Sequence, residues 1–214
     1  MSTVGRSCSE QGSGIFDSII GTIINITINA TEDSWRCERY EQQASPEPEE
    51  RRHTMTSEQK VDQGWDTPSH EDIPKITEMH VAALETSNDD AVWVVADMHH
   101  VMIRTIGRKS GNEHKIALPY WVDPDGVRVV VASYAGFPTH PSWYINLRDT
   151  DANPEVYVRV QNGEFWSAPD ILAEGAEHDR LWDLLIADRA WYADYQAKTE
   201  RTIPLVRLPE TRRV

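Results

Sequence analysis

The chain has 214 residues and a formal net charge of −14, from 21 Lys and Arg against 35 Asp and Glu. That length suits one domain with an appendage, and the acidic balance argues against a general nucleic-acid binder, which needs surplus cations to neutralise phosphates. Cys8 and Cys37 are the only cysteines, so residues 38–214 can hold no thiol nucleophile, Cys-based zinc site or disulfide framework.

Residues 1–90 carry 7 basic and 18 acidic side chains, net −11, while residues 91–214 carry 14 and 17, net −3. Ile15 to Ala30 is the most apolar early stretch, but Asp17, Asn25 and Asn29 interrupt it. It falls short of the roughly 20 apolar residues a spanning helix needs, and no basic segment precedes it as in a secretory signal. The sequons at Asn25 and Asn29 then read as chance matches. Ile19 to Ile28 is rich in β-formers but isolated. From Ser34 to Gln63 the sequence is polar, with Pro46 and Pro48 among glutamates, a composition with too little apolar surface to offset ordering entropy. Residues 1–60 are therefore expected to be a disordered extension. Because Met55-Thr-Ser-Glu resembles an ordinary domain start, residues 1–54 are expected to be dispensable. The expected setting is the cytoplasm, with no transmembrane segment; contact with a membrane surface and the oligomeric state are left open.

Residues 61–90 are expected to form an N-terminal helical segment. Ile73, Ile76, His80, Ala83 and Leu84 recur at helical spacing, so a helix is predicted from Asp72 to Glu85, stopped by Ser87-Asn-Asp-Asp90. Strands are predicted at Ala91–Ala96, Val101–Ile106, Lys115–Val122 and Val127–Ser133, the last two joined by the turn Asp123-Pro-Asp-Gly126. Val156–Gln161 and Glu164–Trp166 flank Asn162-Gly163, a strong hairpin signal, and Ile203–Leu208 makes a final strand. A short helix is predicted from Pro141 and a longer one from Ala176 to Lys198. Seven short strands with helices at the ends predict an α+β fold, a small closed or split β-barrel over residues 91–214.

Three clusters could carry chemistry. Thr105-Ile-Gly-Arg-Lys-Ser-Gly111 puts two cations, a hydroxyl and two glycines in the turn after a strand, where backbone N–H groups can cradle an anion. Residues 101–120 hold four basic side chains and one acidic, net +3 in an acidic chain. The same segment also reads as a solvated hairpin turn. Ala132-Ser-Tyr-Ala-Gly136, then Pro138, Pro141 and Ser142-Trp-Tyr-Ile-Asn146, reads as an apolar wall for a planar ring or as a packed helix. Tyr192 and Tyr195 would share one helix face and could serve an active site or simply pack. His99 and His100 would point to opposite faces of a strand. No His-x₃-His or His-Glu-x-x-His spacing exists, so no metal site is expected, and no Gly-x-Ser-x-Gly elbow supports a serine hydrolase.

Taken together, Gly107-Arg-Lys-Ser-Gly111, Val130-Val-Ala-Ser133, Pro141-Ser-Trp-Tyr-Ile-Asn-Leu147, Ala152-Asn-Pro-Glu-Val156 and Tyr195-Gln196 through Arg201-Thr-Ile-Pro204 stand in the order of one family. Residues 91–214 resemble the deazaflavin-dependent nitroreductases, oxidoreductases that use coenzyme F-420. The resemblance implies a split β-barrel of about six to seven strands that binds the reduced 8-hydroxy-5-deazaflavin. It implies that Arg108, Lys109 and Ser110 hold the phosphate and glutamate-rich tail, and that Lys115, Ile116, Ala117, Leu118, Pro119 and Tyr120 run beside the coenzyme. Val131, Ala132, Ser133 and Tyr134 would line the ring and its side chain, and Ser142, Trp143, Tyr144, Ile145 and Asn146 would form the supporting helix. Tyr192 would lie near ring and substrate, with Tyr195 one turn on.

Three departures from the family pattern stand out: Tyr134 where many members have lysine, extra residues at Asp149-Thr-Asp151, and Arg189 where a nitro-drug-reducing member has a tyrosine.

A deazaflavin transfers hydride in two-electron steps, so its protein must orient the acceptor, stabilise negative charge and give a proton. That chemistry suits Ser133 as the donor to the acceptor's developing oxyanion and Tyr192 or Tyr195 as the proton donor or a substrate clamp. The expected activity is hydride transfer to a small quinone-like, nitroaromatic or conjugated unsaturated acceptor. Use of FMN in the same barrel, or binding without catalysis, are the alternatives.

Overall fold

The computed structural model describes residues 59–214, which belong to one unit of the chain, residues 37–214. The expected extension (apart from Gln59 and Lys60), the Ile19–Ile28 strand, the two sequons and the Met55 start lie outside the described residues. Gln59 is already tied to the sheet: its amide nitrogen donates to the Val122 carbonyl at 3.0 Å and its amide oxygen accepts from the Val122 N–H at 2.7 Å.

Helix α1 (Ile73–Thr86) has Pro74 in its first turn, where a missing N–H costs nothing, and buries His80 and Leu84. The strand predicted at Ala91–Ala96 is not what forms. Asp90–Trp93 makes one helical turn, α2, and only Val94–Val95 is strand, β1. Tertiary packing overrides β-propensity there: Val92 and Trp93 are buried against Leu84, Met102 and Ala117, and the Trp93 indole donates to the Ser87 carbonyl at 3.0 Å. Ala96 and Asp97, both at positive φ (52° and 57°), then form a two-residue turn into β2 (Met98–Ile106). Such a turn matches strand twist only with both central residues in that region.

The remaining strands are β3 (Glu113–Val122), β4 (Arg128–Val131), β5 (Val156–Val160), β6 (Gly163–Ser167), β7 (Asp170–Leu172), β8 (Leu205–Leu208) and β9 (Glu210–Arg213). Among the described residues nine strands form one sheet in the order β7-β8-β4-β3-β2-β5-β6-β9, with β1 on β2. Every pairing is antiparallel. The curled sheet is the split barrel that the sequence predicts, with two more strands than its seven. β7 is only three residues long, and β9 is polar and exposed along its length, so neither shows an apolar alternation.

Strand alternation sorts the side chains into an interior and an outer face. Val101, Ile103, Ile116, Leu118, Val130, Ala132, Val158 and Val206 meet inside the barrel, where α3 (Ser142–Leu147) inserts Trp143, Tyr144 and Leu147. Outside, Trp121, Val129 and Val131 pack under α4 (Ala176–Asp188) and α5 (Trp191–Ala197). The single helix predicted over 176–198 is thus two. Arg189 breaks it at φ −139° and ψ 73°, and its guanidinium turns in to donate to the Tyr120 carbonyl at 2.7 Å.

His99 is exposed and His100 buried, as alternation requires. The His100 ring lies 4.7 Å from that of His80 and bonds the Met98 carbonyl at 2.8 Å. Burial is the main force that lowers its pKa, from 6.5 to about 3. Above pH 6.5 both folded and unfolded chains hold it neutral. Below that, the unfolded chain binds a proton that the folded one refuses, so stability falls by about 1.4 kcal/mol per pH unit until about pH 3. His100→Gln should remove this one-proton slope between pH 6 and 4 in urea unfolding series. An unchanged slope would assign the acid sensitivity to other groups.

Candidate active site

The β2–β3 hairpin carries its cations at the tip. Within it the Gly107 N–H donates to the Asn112 carbonyl at 2.8 Å and the Gly111 N–H to the Gly107 carbonyl at 2.7 Å. A Cβ at Gly107 would sit 2.7 Å from the His114 ring and the Ser110 hydroxyl, so those two exposed side chains would have to turn aside to admit one. Arg108, Lys109 and Ser110 are all exposed.

What fixes this tip is a pair of buried amides. Asn146 on α3, 5% exposed, accepts from the Arg108 N–H at 3.4 Å and from its guanidinium at 3.2 Å. Asn153, 3% exposed, accepts from the Ile106 N–H at 2.7 Å and donates to the carbonyls of Ile106 at 3.0 Å and Asn146 at 2.9 Å. One side chain therefore ties the end of β2 to α3. Asn153 stands in the Ala-Asn-Pro motif, but its role is invisible in sequence because its partners are backbone groups 7 and 47 positions away.

A second anchor is Arg201. Its guanidinium donates to the carbonyls of Ser133 at 2.7 Å, Ala132 at 3.2 Å and Phe137 at 3.0 Å, and meets the His140 ring at 3.3 Å. The loop after β4 is thereby held in an unusual conformation, with Tyr134, Ala135 and Gly136 all at positive φ. Gly136 cannot carry a side chain, because its Cβ would lie 2.6 Å from the Tyr195 carbonyl. Burial and the nearby Arg201 and Arg148 lower the His140 pKa, so that ring is neutral at pH 7 and does not oppose Arg201.

Tyr192 and Tyr195 share one face of α5, as their spacing predicts. Both are buried, with rings 5.9 Å apart and 82° inclined. The Tyr195 hydroxyl pairs with the Thr67 hydroxyl at 3.2 Å. Burial pushes the Tyr192 pKa up, against the opposing pull of Arg189. The segment before α1 covers this region: Trp65 packs edge-on to Trp191 at 5.1 Å, and the His70 ring stacks on Phe137 at 3.6 Å and lies 4.2 Å from Tyr134. No sequence signal marked Thr67 or His70, since neither belongs to a periodic element.

The hairpin tip and the tyrosines are joined by continuous contact. Asn146 leads through α3 to Tyr144, whose ring is 4.8 Å from His140; His140 meets Arg201, Arg201 holds Ser133, and Gly136 abuts Tyr195. Ser133 is half-buried in this run and Ser142 is exposed at the start of α3. Ile116, Leu118 and Tyr120 face the barrel interior, Ile145 packs against it, and Val131 sits with the tyrosines.

Other expected site residues are placed elsewhere or enclosed. Trp143, Tyr144 and Ala132 are core residues at 8%, 2% and 0% exposure, so they form the wall rather than a free ring surface. Lys115, Ala117 and Pro119 alternate to the outer face of β3. There Lys115 pairs with Glu85, and Ala117 packs on Leu84. Lys115 lines a different cavity, with Arg104, Tyr157 and Arg159. Its cation is held by Glu85 and Glu113.

The split barrel carries two exposed cations and a hydroxyl at the β2–β3 tip and two buried phenols on α5, groups that suit a reductase working with a phosphate-bearing, flavin-like coenzyme. The family follows from comparison. A family model described as F420H(2)-dependent quinone reductase matches residues 77–210. The F420H(2)-dependent quinone reductase Rv1261c of Mycobacterium tuberculosis (strain ATCC 25618 / H37Rv) is 35% identical over 108 residues, 50% of this chain and 70% of that protein. Among solved structures, an F420-H2 dependent reductase (FDR-A) is 36% identical, with 51% of this chain and 93% of that chain covered at a TM-score of 0.43. The chain belongs to the F420H(2)-dependent quinone reductase family, whose cofactor is coenzyme F420.

Proposed function

We propose that this enzyme moves a hydride from reduced coenzyme F420 to a small quinone-like acceptor, with nitroaromatics and conjugated enones as further acceptors of the same electronic type. The observation that carries this reading is the exposed donor set of Arg108, Lys109 and Ser110 on a tip clamped to α3 through Asn146. Two cations and a hydroxyl fit a phosphate and carboxylate-rich tail, because hydrogen bonds to ionised groups are the strong ones. Other residues of the site then divide the work. Ser133 offers a hydroxyl to oxygen that gains negative charge. Tyr192 stays protonated at neutral pH and has a proton to give. Trp143 and Tyr144 form a rigid wall that keeps water out of the barrel end. The reduced coenzyme supplies the hydride, one proton with two electrons.

On the same reading the enzyme works in the cytoplasm, and residues 1–54 contribute nothing to turnover. Mixing the full chain with reduced coenzyme and menadione, and following the return of oxidised deazaflavin absorbance, tests the proposal. Oxidation faster than in the protein-free control is expected. Coenzyme binding with no turnover across quinones, nitroaromatics and enones would leave a binding protein, and no binding would end the proposal.

A further inference from the structure

Arg189 is a charged side chain in an expensive place. It is 3% exposed, and its Nε and one Nη have no hydrogen-bond partner. The other Nη is committed to the Tyr120 carbonyl at 2.7 Å. Buried cations are normally paired, because a guanidinium deprived of both water and partners is costly. The surroundings show what it is left to face. From β2 comes His100, uncharged at physiological pH. From β3 comes Tyr120, through its carbonyl. On α4 Asp188 adjoins it, but that carboxylate accepts the Trp121 indole N–H at 2.8 Å. From α5 comes Tyr192, whose side chain interacts with the guanidinium. Tyr195 is one step further, ring to ring with Tyr192, and its hydroxyl is taken by Thr67.

We propose that Arg189 is the positioning residue that makes Tyr192, rather than Tyr195, the proton donor, by holding the phenolate that proton transfer leaves behind. The inference rests on the reductase reading above. A quinone that has gained a hydride, one proton and two electrons, is a monoanion with its charge on oxygen. The Tyr192 O–H bond breaks, its proton goes to that oxygen to give the neutral hydroquinone, and the electron pair stays on Tyr192. The two unpartnered nitrogens of Arg189, Nε and one Nη, then have an anion to bind, and a solvent proton later restores the phenol. Burial alone makes a phenolate at this position costly; a preorganised cation beside it offsets that cost without reorganisation during the step. Tyr195 has its cation elsewhere: Lys198 Nζ lies over the ring, 5.2 Å from the centroid, while the hydroxyl itself meets a neutral threonine.

The test begins without coenzyme. Full-length protein carrying 3-fluorotyrosine, which ionises at lower pH than tyrosine, is titrated by fluorine NMR, with Tyr192→Phe and Tyr195→Phe assigning the two resonances. Arg189→Met should move the midpoint of residue 192 up by about one pH unit or more, a factor of about ten in ionisation, and that of residue 195 by much less. Arg189→Lys, which keeps the charge, should give a smaller rise. In turnover with menadione, Arg189→Met should lower kcat and raise the solvent deuterium isotope effect while coenzyme affinity holds. Tyr192→Phe should lower kcat further than Tyr195→Phe does. An unmoved midpoint at 192, or the reverse order of the two phenylalanine variants, overturns the inference. If Arg189→Met does not fold, the order of those two variants decides alone. A wild-type chain that oxidises coenzyme while these readouts fail sinks this inference only; one that oxidises none sinks the reductase reading and this inference with it.

Discussion

Replacing Arg108 and Lys109 together with alanine should weaken coenzyme binding by about a hundred- to ten-thousand-fold while the barrel stays folded. Hydrogen bonds to ionised groups contribute about 1.5–3 kcal/mol each, so losing two removes about 3–6 kcal/mol. Stability should change little, because both side chains are exposed and surface substitutions usually fall within about 0.5 kcal/mol. The single variants separate two effects. Lys109→Ala removes only a charge. Arg108→Ala also removes the guanidinium bond to Asn146 at 3.2 Å and should loosen the tip as well. Titrating coenzyme by calorimetry at rising salt gives the check, since exposed charges are screened over about 10 Å at 0.1 M and the gap between parent and variant should narrow. Equal affinities at low salt would place the coenzyme's anionic tail elsewhere.

Asn153→Leu should be the most damaging single substitution near the site. It removes one partner from each of four backbone groups, the Ile106 N–H and carbonyl and the Asn146 and Asp149 carbonyls, of which the Asn146 carbonyl keeps the Asp149 N–H at 3.0 Å. Each unsatisfied group costs about 1–3 kcal/mol when water cannot reach it. Ile106 is 37% exposed, so water recovers part of that loss, and about 2–4 kcal/mol of destabilisation is expected in urea unfolding. Coenzyme affinity should fall too, because the hairpin tip is no longer registered on α3. Asn153→Asp keeps the acceptor for the Ile106 N–H and loses the donor, so an intermediate value is expected. A leucine variant as stable as the parent would show that Asn153 does not hold the tip.

The two variants bear on a general point about this site. Its charged residues are exposed and recognisable, while the residues that hold the surrounding backbone in place are two buried amides and the half-buried guanidinium of Arg201. Arg201 behaves like Asn153 in this respect. Its guanidinium satisfies three loop carbonyls, and nothing in its local sequence announces them. Removing either the ligand-facing or the aiming group should reduce binding, but only the second should also reduce stability.

Hydrophobic periodicity and turn chemistry were enough to place α1, the hairpin at Asp123-Pro-Asp-Gly126 and, one residue late, the β5–β6 hairpin, whose turn is Gln161-Asn162 with Gly163 already paired to Val160, because those signals are local and each has a local physical cause. The helix spacing of Tyr192 and Tyr195 likewise implied a shared face, which their ring contact realises. The strand lost at Ala91–Trp93 and the helix break at Arg189 were decided by partners distant in sequence: a hydrophobic cluster around Leu84 in one case, the Tyr120 carbonyl in the other. The division within β3 has a local cause instead, the pleat of the strand. Six consecutive residues read alike along the chain, yet pleating sends Ile116, Leu118 and Tyr120 inward and Lys115, Ala117 and Pro119 to the opposite face. Sequence alone determined which chemical groups this protein owns and the local elements that carry them. The fold decided which of those groups meet, because contacts between residues far apart in sequence have no local signature until the sheet has curled and closed around its core.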